Sequence, residues 1–303
     1  MRVGIDRPTD DGVELGGSSP LARGCFDLLA GLYRIPLGSG TAVMGVLNVT
    51  PDSFYDGGRY CSLDSAVNRA VQIEEEGADI IDIGGESTRP GSSPVSLDEE
   101  LGRVVPVVRE VVKRVRIPVS VDTTKAQVAE AALNEGASII NDISGLGFEP
   151  ETAEIVARFG AAIVLMHTPS RPRDMQSKTD YSSLVEDVKS SLSGSIERAL
   201  EGGVKPESIV IDPGIGFGKT ALQSLSLIKH LSEFQTLGKP ILIGTSRKSF
   251  IARVLETEVG DRLHGTAATV ALSIVNGASI IRVHDVIFMK GVARMVDSVL
   301  SAH

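Results

Sequence analysis

Eight short apolar runs, each ending in a polar side chain, punctuate this chain, and the segments between them carry helical periodicity. The runs are Ala42–Asn48, Ile80–Glu86, Ile117–Asp122, Ser138–Asp142, Ala161–His167, Ser208–Asp212, Pro240–Ser246 and Ser279–His284. Strands that alternate with helices predict parallel βα units. Parallel strands all end on the same side. Asn48, Glu86, Asp122, Asn141, His167, Asp212, Ser246 and His284 should therefore converge on one face. Eight such units predict an α/β chain closed into a (β/α)8 TIM barrel, whose active sites lie at that face.

The helix-to-strand junctions repeat one pattern. Gly77-Ala78-Asp79-Ile80-Ile81, Gly136-Ala137-Ser138-Ile139-Ile140, Gly160-Ala161-Ala162-Ile163-Val164 and Gly277-Ala278-Ser279-Ile280-Ile281 are near copies. A glycine after a helix takes the left-handed conformation at no Cβ cost. The β-branched run that follows suits a strand buried on both faces. This pattern supports the architecture and is silent on chemistry.

Residues 1–24, rich in Gly, Asp, Ser and Pro, read as a flexible N-terminal extension, and 25–303 as a single barrel domain. Phe26–Pro36 suits a strand pair or plug at the barrel bottom. Three long connections fall on the active face: Asn48–Leu63, Gly84–Val95 and Thr168–Asp180, the last carrying Arg171, Arg173 and Lys178. Loops of that length are usually functional.

Composition narrows the class. With 42% hydrophobic and 23% charged residues the chain is an ordinary globular one, and without Trp its core is aliphatic. No apolar run approaches the roughly 20 residues of a membrane span. The first residues lack a basic start followed by an apolar stretch, so no secretory signal is expected. Cys25 and Cys61 are too few for a disulfide framework, which fits a reduced cytoplasm. A net charge of −9 argues against general nucleic-acid binding but leaves an anionic small substrate open.

The chemistry gathers at strand ends. Asp212-Pro213-Gly214-Ile215-Gly216-Phe217-Gly218-Lys219-Thr220 imitates two phosphate loops and matches neither. Its small residues suit a close backbone approach to a ligand, or else a tight turn with Lys219 in the first helical turn. Asp122 and Asp212 end the third and sixth runs, with Asn141 between them. A carboxylate only accepts, so it matches two adjacent N–H donors such as the 2-aminopyrimidinone edge of a pterin or guanine. Asn141 donates and accepts, and can read a mixed edge. Taken singly, an Asp at a strand end is as often a helix cap. Arg282 and His284 share one side of the eighth run by alternation, and Ser246-Arg247-Lys248-Ser249 follows the seventh. Loops after strands seven and eight are where barrels frequently bind phosphate. Ser249 should open a helix. None of the five histidines has zinc-type spacing.

These motifs together resemble the dihydropteroate synthases, the folate-pathway enzymes that sulfonamides inhibit. The resemblance runs from about Thr41 to Val299. It rests on Asn48-Val49-Thr50-Pro51-Asp52-Ser53-Phe54, Asp82 through Gly91, Ser120-Val121-Asp122-Thr123 and Asn141 through Gly145. It continues through Leu165-Met166-His167, Asp212 through Lys219, Ser246-Arg247-Lys248 and Arg282 through Asp285. The resemblance implies condensation of a dihydropterin-methyl diphosphate with p-aminobenzoate, with Mg²⁺ as cofactor and a homodimer as the assembly. It implies a pterin pocket of Asp122, Asn141, Met166, Asp212, Phe217 and Lys248. It assigns Asn48, Arg282 and His284 to diphosphate, with Asn48 also a metal ligand. It assigns Thr50, Asp52, Phe54, Thr88, Arg89, Pro90 and Ser249 to p-aminobenzoate and the closing loops. Asp122, Lys248, Arg282 and His284 would be catalytic. Ser224, Thr124 and Thr168-Pro169-Ser170 depart from the family's usual residues. Two other readings compete: a methyltetrahydrofolate-type methyltransferase, which would not need the two loop motifs, and a silent pterin-binding paralogue, which would have lost them.

Overall fold

The computed structural model describes residues 23–49, 61–89, 91–257 and 262–302. A hairpin comes first, β1 (Phe26–Ala30) antiparallel to β2 (Tyr33–Leu37). Strands and helices then alternate: β3 (Ala42–Asn48), α1 (Cys61–Glu75), β4 (Ile80–Gly84), α2 (Leu97–Val111), β5 (Val119–Asp122) and α3 (Ala126–Asn134). They continue with β6 (Ile139–Asp142), α4 (Thr152–Phe159), β7 (Ala162–Met166), α5 (Leu184–Glu201), β8 (Ile209–Asp212) and α6 (Ala221–Lys229). The last are β9 (Leu242–Ile243), α7 (Ser249–Leu255), α8 (Leu263–Val275), β10 (Ile280–Val283) and α9 (Val286–Leu300). Strands β3 through β8 lie side by side in chain order, β10 pairs with both β3 and β9, and every pairing is parallel. A bridge from Ile211 to Ile241 brings the approach to β9 against β8 and closes the ring. This is the expected (β/α)8 barrel.

All eight runs hold a strand, but most strands are shorter than the apolar pattern. The clearest case is Pro240–Ser246, of which only Leu242–Ile243 pairs regularly. Pro240 has no N–H to give a ladder. Its carbonyl still accepts from Ile211 N at 3.0 Å.

Alternation divides the core in two. Outward residues such as Ile81, Val121, Ile140, Ile163, Ile211 and Ile281 pack under the helices. Inward residues at the strand starts form a second cluster: Met44, Ile80, Ile139, Val164, Val210, Leu242 and Ile280. The hairpin completes that cluster with Leu28, Ala30, Ile35 and Leu37. It is the plug at the barrel bottom, and Gly31 N–H donates to Gly160 O at 2.9 Å to seat it. Fully burying one such aliphatic side chain contributes about 1.5–3 kcal/mol. Arg23 is bound to this body: it donates to Thr41 Oγ1 at 2.7 Å and pairs with Asp297 of α9 at 2.5 Å.

Candidate active site

Above the apolar layer the inward positions turn polar. Asp82, Ser120, Asp122, Asn141, Met166, Asp212, Arg282 and His284 each stand two or four residues beyond an inward position of the second cluster or of its layer, so they share the barrel axis. The convergence expected from the strand ends therefore holds for Asp122, Asn141, Asp212 and His284. Asn48 joins them at the end of β3, in register with Gly84, which in turn pairs with Asp122. Glu86 lies past β4, pairs with Lys125 at 2.5 Å and lines the cavity beside Asp122.

Arg282 is the hub. Its Nε donates to Asp82 Oδ2 at 2.6 Å and its Nη2 to Asp122 Oδ2 at 2.7 Å. Burial works against the guanidinium charge, but Asp82 and Asp122 outweigh it and hold the group firmly protonated. Burial raises the Asp122 carboxyl to about 7, although Arg282 opposes this; Asp82, Glu100 and Asp142 add to the rise. The resemblance gives Asp122 to the pterin and Arg282 to the diphosphate as separate subsites; this contact joins them, because a long side chain on β10 spans the mouth. The alternative that Asp122 caps a helix also fails: α3 starts after Lys125, which makes no side-chain cap.

Asn141 donates its Nδ2 to Asp82 Oδ2 at 3.2 Å. A carboxylate only accepts, so the amide nitrogen must face Asp82, which leaves Oδ1 as the reading atom. Asp212 accepts from Gly214 N–H at 2.7 Å, and burial raises its carboxyl despite Lys248. Lys248 precedes α7, donates to Ile215 O, and places its ammonium 4.5 Å from the centre of the Phe217 ring. Burial lowers it to about 8 against the pull of Asp212. Ser249 opens α7 as expected. His284 places Nδ1 3.0 Å from Ser246 Oγ. Burial, then Arg282, lower it to about 4, so it is a neutral imidazole at pH 7.

Arg247 turns away. Its φ is 58°, and its guanidinium pairs with Asp285 through Nε at 3.0 Å. Two glycines of the Asp212–Thr220 loop make room for protein. A Cβ on Gly214 (φ 71°) would lie 2.0 Å from His167 O, and one on Gly218 (φ 58°) 2.2 Å from Pro169 Cγ. Lys219 is not in the first turn of α6, which Thr220 caps with a reciprocal Gln223 bond. It is buried, with Nζ 2.9 Å from both His167 Nδ1 and Phe217 O. Burial lowers it to about 7 and His167 to about 3.

A cavity beside Asp122 is lined by Thr88, Glu100, Thr124, Phe148, Arg171 and Arg173. Arg171 stacks on Phe148 at 4.3 Å, and Gly91 N–H donates to Pro172 O at 3.1 Å, so the loops after β4 and β7 touch. Arg89 is exposed on the first of these loops. Thr50, Asp52, Phe54 and Pro90 lie outside the described residues. Sequence reasoning passed over Asp82 and Glu100 as site residues. Asp82 sits inside a run that reads as a buried strand, and Glu100 sits on a helix, where it binds Lys125 and Thr123.

Residues 44–284 match the model of the family described as pterin binding enzyme. The dihydropteroate synthase of Bacillus subtilis is 49% identical over 261 residues, which span 86% of this chain and 89% of that protein. That of Synechocystis sp. is 47% identical over 262 residues, 86% of this chain and 91% of its own. The Yersinia pestis dihydropteroate synthase, solved with a sulfonamide drug, aligns with a TM-score of 0.86 at 41% identity, over 91% of this chain and 100% of that one. The Xanthomonas albilineans enzyme, solved in complex with 7,8-dihydropteroate, aligns at 0.79 with 37% identity, over 87% and 95%. Similarity of this degree across the whole barrel leaves one assignment: the chain belongs to the dihydropteroate synthases, within the pterin-binding enzymes.

Proposed function

We propose that this chain condenses (7,8-dihydropterin-6-yl)methyl diphosphate with p-aminobenzoate to give 7,8-dihydropteroate and diphosphate. The observation that carries this reading is the arrangement of Asp122, Asn141 and Asp212 around one mouth with Arg282, Lys248 and His284. Acceptors for a pterin edge stand beside donors for an anion.

The methylene C–O bond breaks and its electron pair leaves with the diphosphate. The electron-rich pterin carries the positive charge until the arylamine nitrogen adds to the carbon and gives up a proton to solvent. Two charges separate, and the site meets each. Asp212 and Asn141 Oδ1 hold the pterin edge, Asp122 faces the developing cation, and Arg282 with the neutral imidazole of His284 donates to the departing anion. Lys248 and Phe217 wall the pterin, Met166 packs on its ring, and Ser249 with Thr88 and Arg89 borders the p-aminobenzoate side. No strong base is required, since an aniline nitrogen is nucleophilic unprotonated.

Among the described residues no three His, Cys, Asp or Glu converge as a metal cage. Asn48 offers a hard oxygen at the end of β3, which suits a Mg²⁺ that keeps its waters and comes with substrate phosphates. Bound there, Mg²⁺ would supply charge neutralisation for the diphosphate oxygens. Four further parts belong to the proposal: an N-terminal extension over 1–24, closing loops that include Thr50, Asp52, Phe54 and Pro90, a cytoplasmic location, and a homodimer through outer helices. Exposed apolar side chains on α8 and α9, including Leu272, Phe288 and Met295, support the dimer.

The test is turnover. With pterin diphosphate, Mg²⁺ and p-aminobenzoate the protein should release diphosphate and dihydropteroate in equal amounts. Methyl transfer from a methylated folate, or pterin binding without turnover, would contradict the proposal.

A further inference from the structure

Asp82 has no exposed surface, so no substrate touches it. Burying a carboxylate is costly unless it is paired. Its Oδ2 serves two site residues at once, Arg282 Nε at 2.6 Å and Asn141 Nδ2 at 3.2 Å. Its Oδ1 has no hydrogen-bond partner, and neither does the Oγ of Ser120, its neighbour in register on β5. The carboxylate is therefore not there to satisfy the barrel interior. Its bonds all point up toward the site.

The guanidinium geometry adds a second fact. Arg usually grips one carboxylate with two parallel bonds. Here Nε and Nη2 go to different carboxylates, one sealed in the barrel and one at the mouth. The sealed bond cannot be exchanged for a ligand, whereas the bond to Asp122 can.

We propose that Asp82 is a positioning residue: it anchors Arg282 by Nε and leaves the Nη edge to pass from Asp122 to the diphosphate when the pterin arrives. The proposal rests on the assignment of Arg282 to the diphosphate. In the free protein Arg282 neutralises Asp122. A bound pterin offers Asp122 a new positive partner, and the Nη edge is then released toward the anion while the anchor holds. The same Oδ2 fixes the Asn141 amide, so one buried oxygen orients a pterin reader and an anion donor together.

Asp82→Asn tests this. The amide keeps the size and loses the charge, so Arg282 should settle on Asp122. Inorganic diphosphate with Mg²⁺ should bind the variant about tenfold or more weakly by calorimetry. Asp122 is faced by Arg282 and Lys248, which favour its charge, and by Asp82, Glu100 and Asp142, which oppose it. Removing the Asp82 charge should move the acid limb of pterin binding to lower pH, which a merely structural role would not do. Diphosphate affinity within twofold of the parent together with an unmoved acid limb would overturn the proposal. Arg282→Ala separates the two readings. If it binds diphosphate like the parent, the diphosphate assignment fails. If it loses diphosphate while Asp82→Asn does not, the anchor fails. A measurement on the parent covers the case in which Asp82→Asn does not fold. By NMR the Arg282 Nε–H should stay protected from exchange with and without a bare pterin, while its Nη signals change. An Nε–H that exchanges as fast as those of exposed arginines would overturn the anchor.

Discussion

Asp212→Asn should remove pterin recognition while leaving the fold intact. The carboxylate lies at the end of β8 with 6% of its surface exposed, and its Oδ1 already accepts from Gly214 N–H at 2.7 Å. In the variant the amide oxygen must keep that bond, which turns the NH₂ toward the ligand. Donor then meets donor where a carboxylate oxygen had accepted. A buried unpaired group costs about 1–3 kcal/mol, and more when a charged bond is lost. We expect a loss of about 2–4 kcal/mol, or roughly 30- to 1,000-fold in Kd for a bare pterin. Stability should not follow. Burial raises the Asp212 carboxyl, so the folded chain holds its proton to higher pH than the unfolded chain does. Ionisation of Asp212 therefore costs stability as pH rises above the unfolded pKa, and the neutral amide avoids that cost. The assay is calorimetry of a bare pterin at pH 8, with the melting temperature measured in the same buffer. Unchanged pterin affinity would refute the reasoning. So would lost affinity accompanied by a collapsed melting temperature, since the effect would then be structural.

Three further outcomes are expected. The kcat/KM for the pterin diphosphate should rise through about pH 7 as Asp122 ionises, and fall near pH 8 as Lys248 loses its proton; a profile flat from about pH 6 to 9 would contradict this. Leu28→Ala, in the plug, should cost about 2–5 kcal/mol in denaturant unfolding and leave kcat within about twofold, because Leu28 lies at the barrel end opposite the site; an equal loss of activity in the folded variant would show that the bottom is coupled to the mouth. Calorimetry should find p-aminobenzoate binding only after Mg²⁺ and diphosphate, as follows from the proposal that closing loops complete its pocket over the bound anion; equal affinity for the free protein would count against that order.

The barrel was legible because its strands are buried on both faces, and glycine-alanine junctions mark where four of them begin. The identity of the strand-end residues followed: the common strand direction brought Asp122 and Asp212 to one face, and alternation put Arg282 and His284 on one side of their strand. Connections across the mouth did not follow. Nothing in the spacing of positions 82, 122 and 282 says that one guanidinium joins all three, because the contact depends on barrel closure and on the reach of a long side chain. Asp82 was hidden for the same reason that β4 was visible: a single acid inside an apolar run does not break the run. Lys219 misled in a different way. One reading of the pattern puts it in the first helical turn, yet it lies before the helix, folded inward onto His167 and Phe217.

The central claim is that the site separates charge, with Asp122 facing a pterin cation and Arg282 facing the departing diphosphate. The secondary deuterium isotope effect at the substrate methylene, measured by competition on kcat/KM, tests it most directly. Dissociative C–O cleavage turns that carbon trigonal before the amine arrives, so dideuteration should slow the reaction measurably. An effect of unity, or an inverse one, would mean that the amine enters as the diphosphate leaves, and would contradict the account.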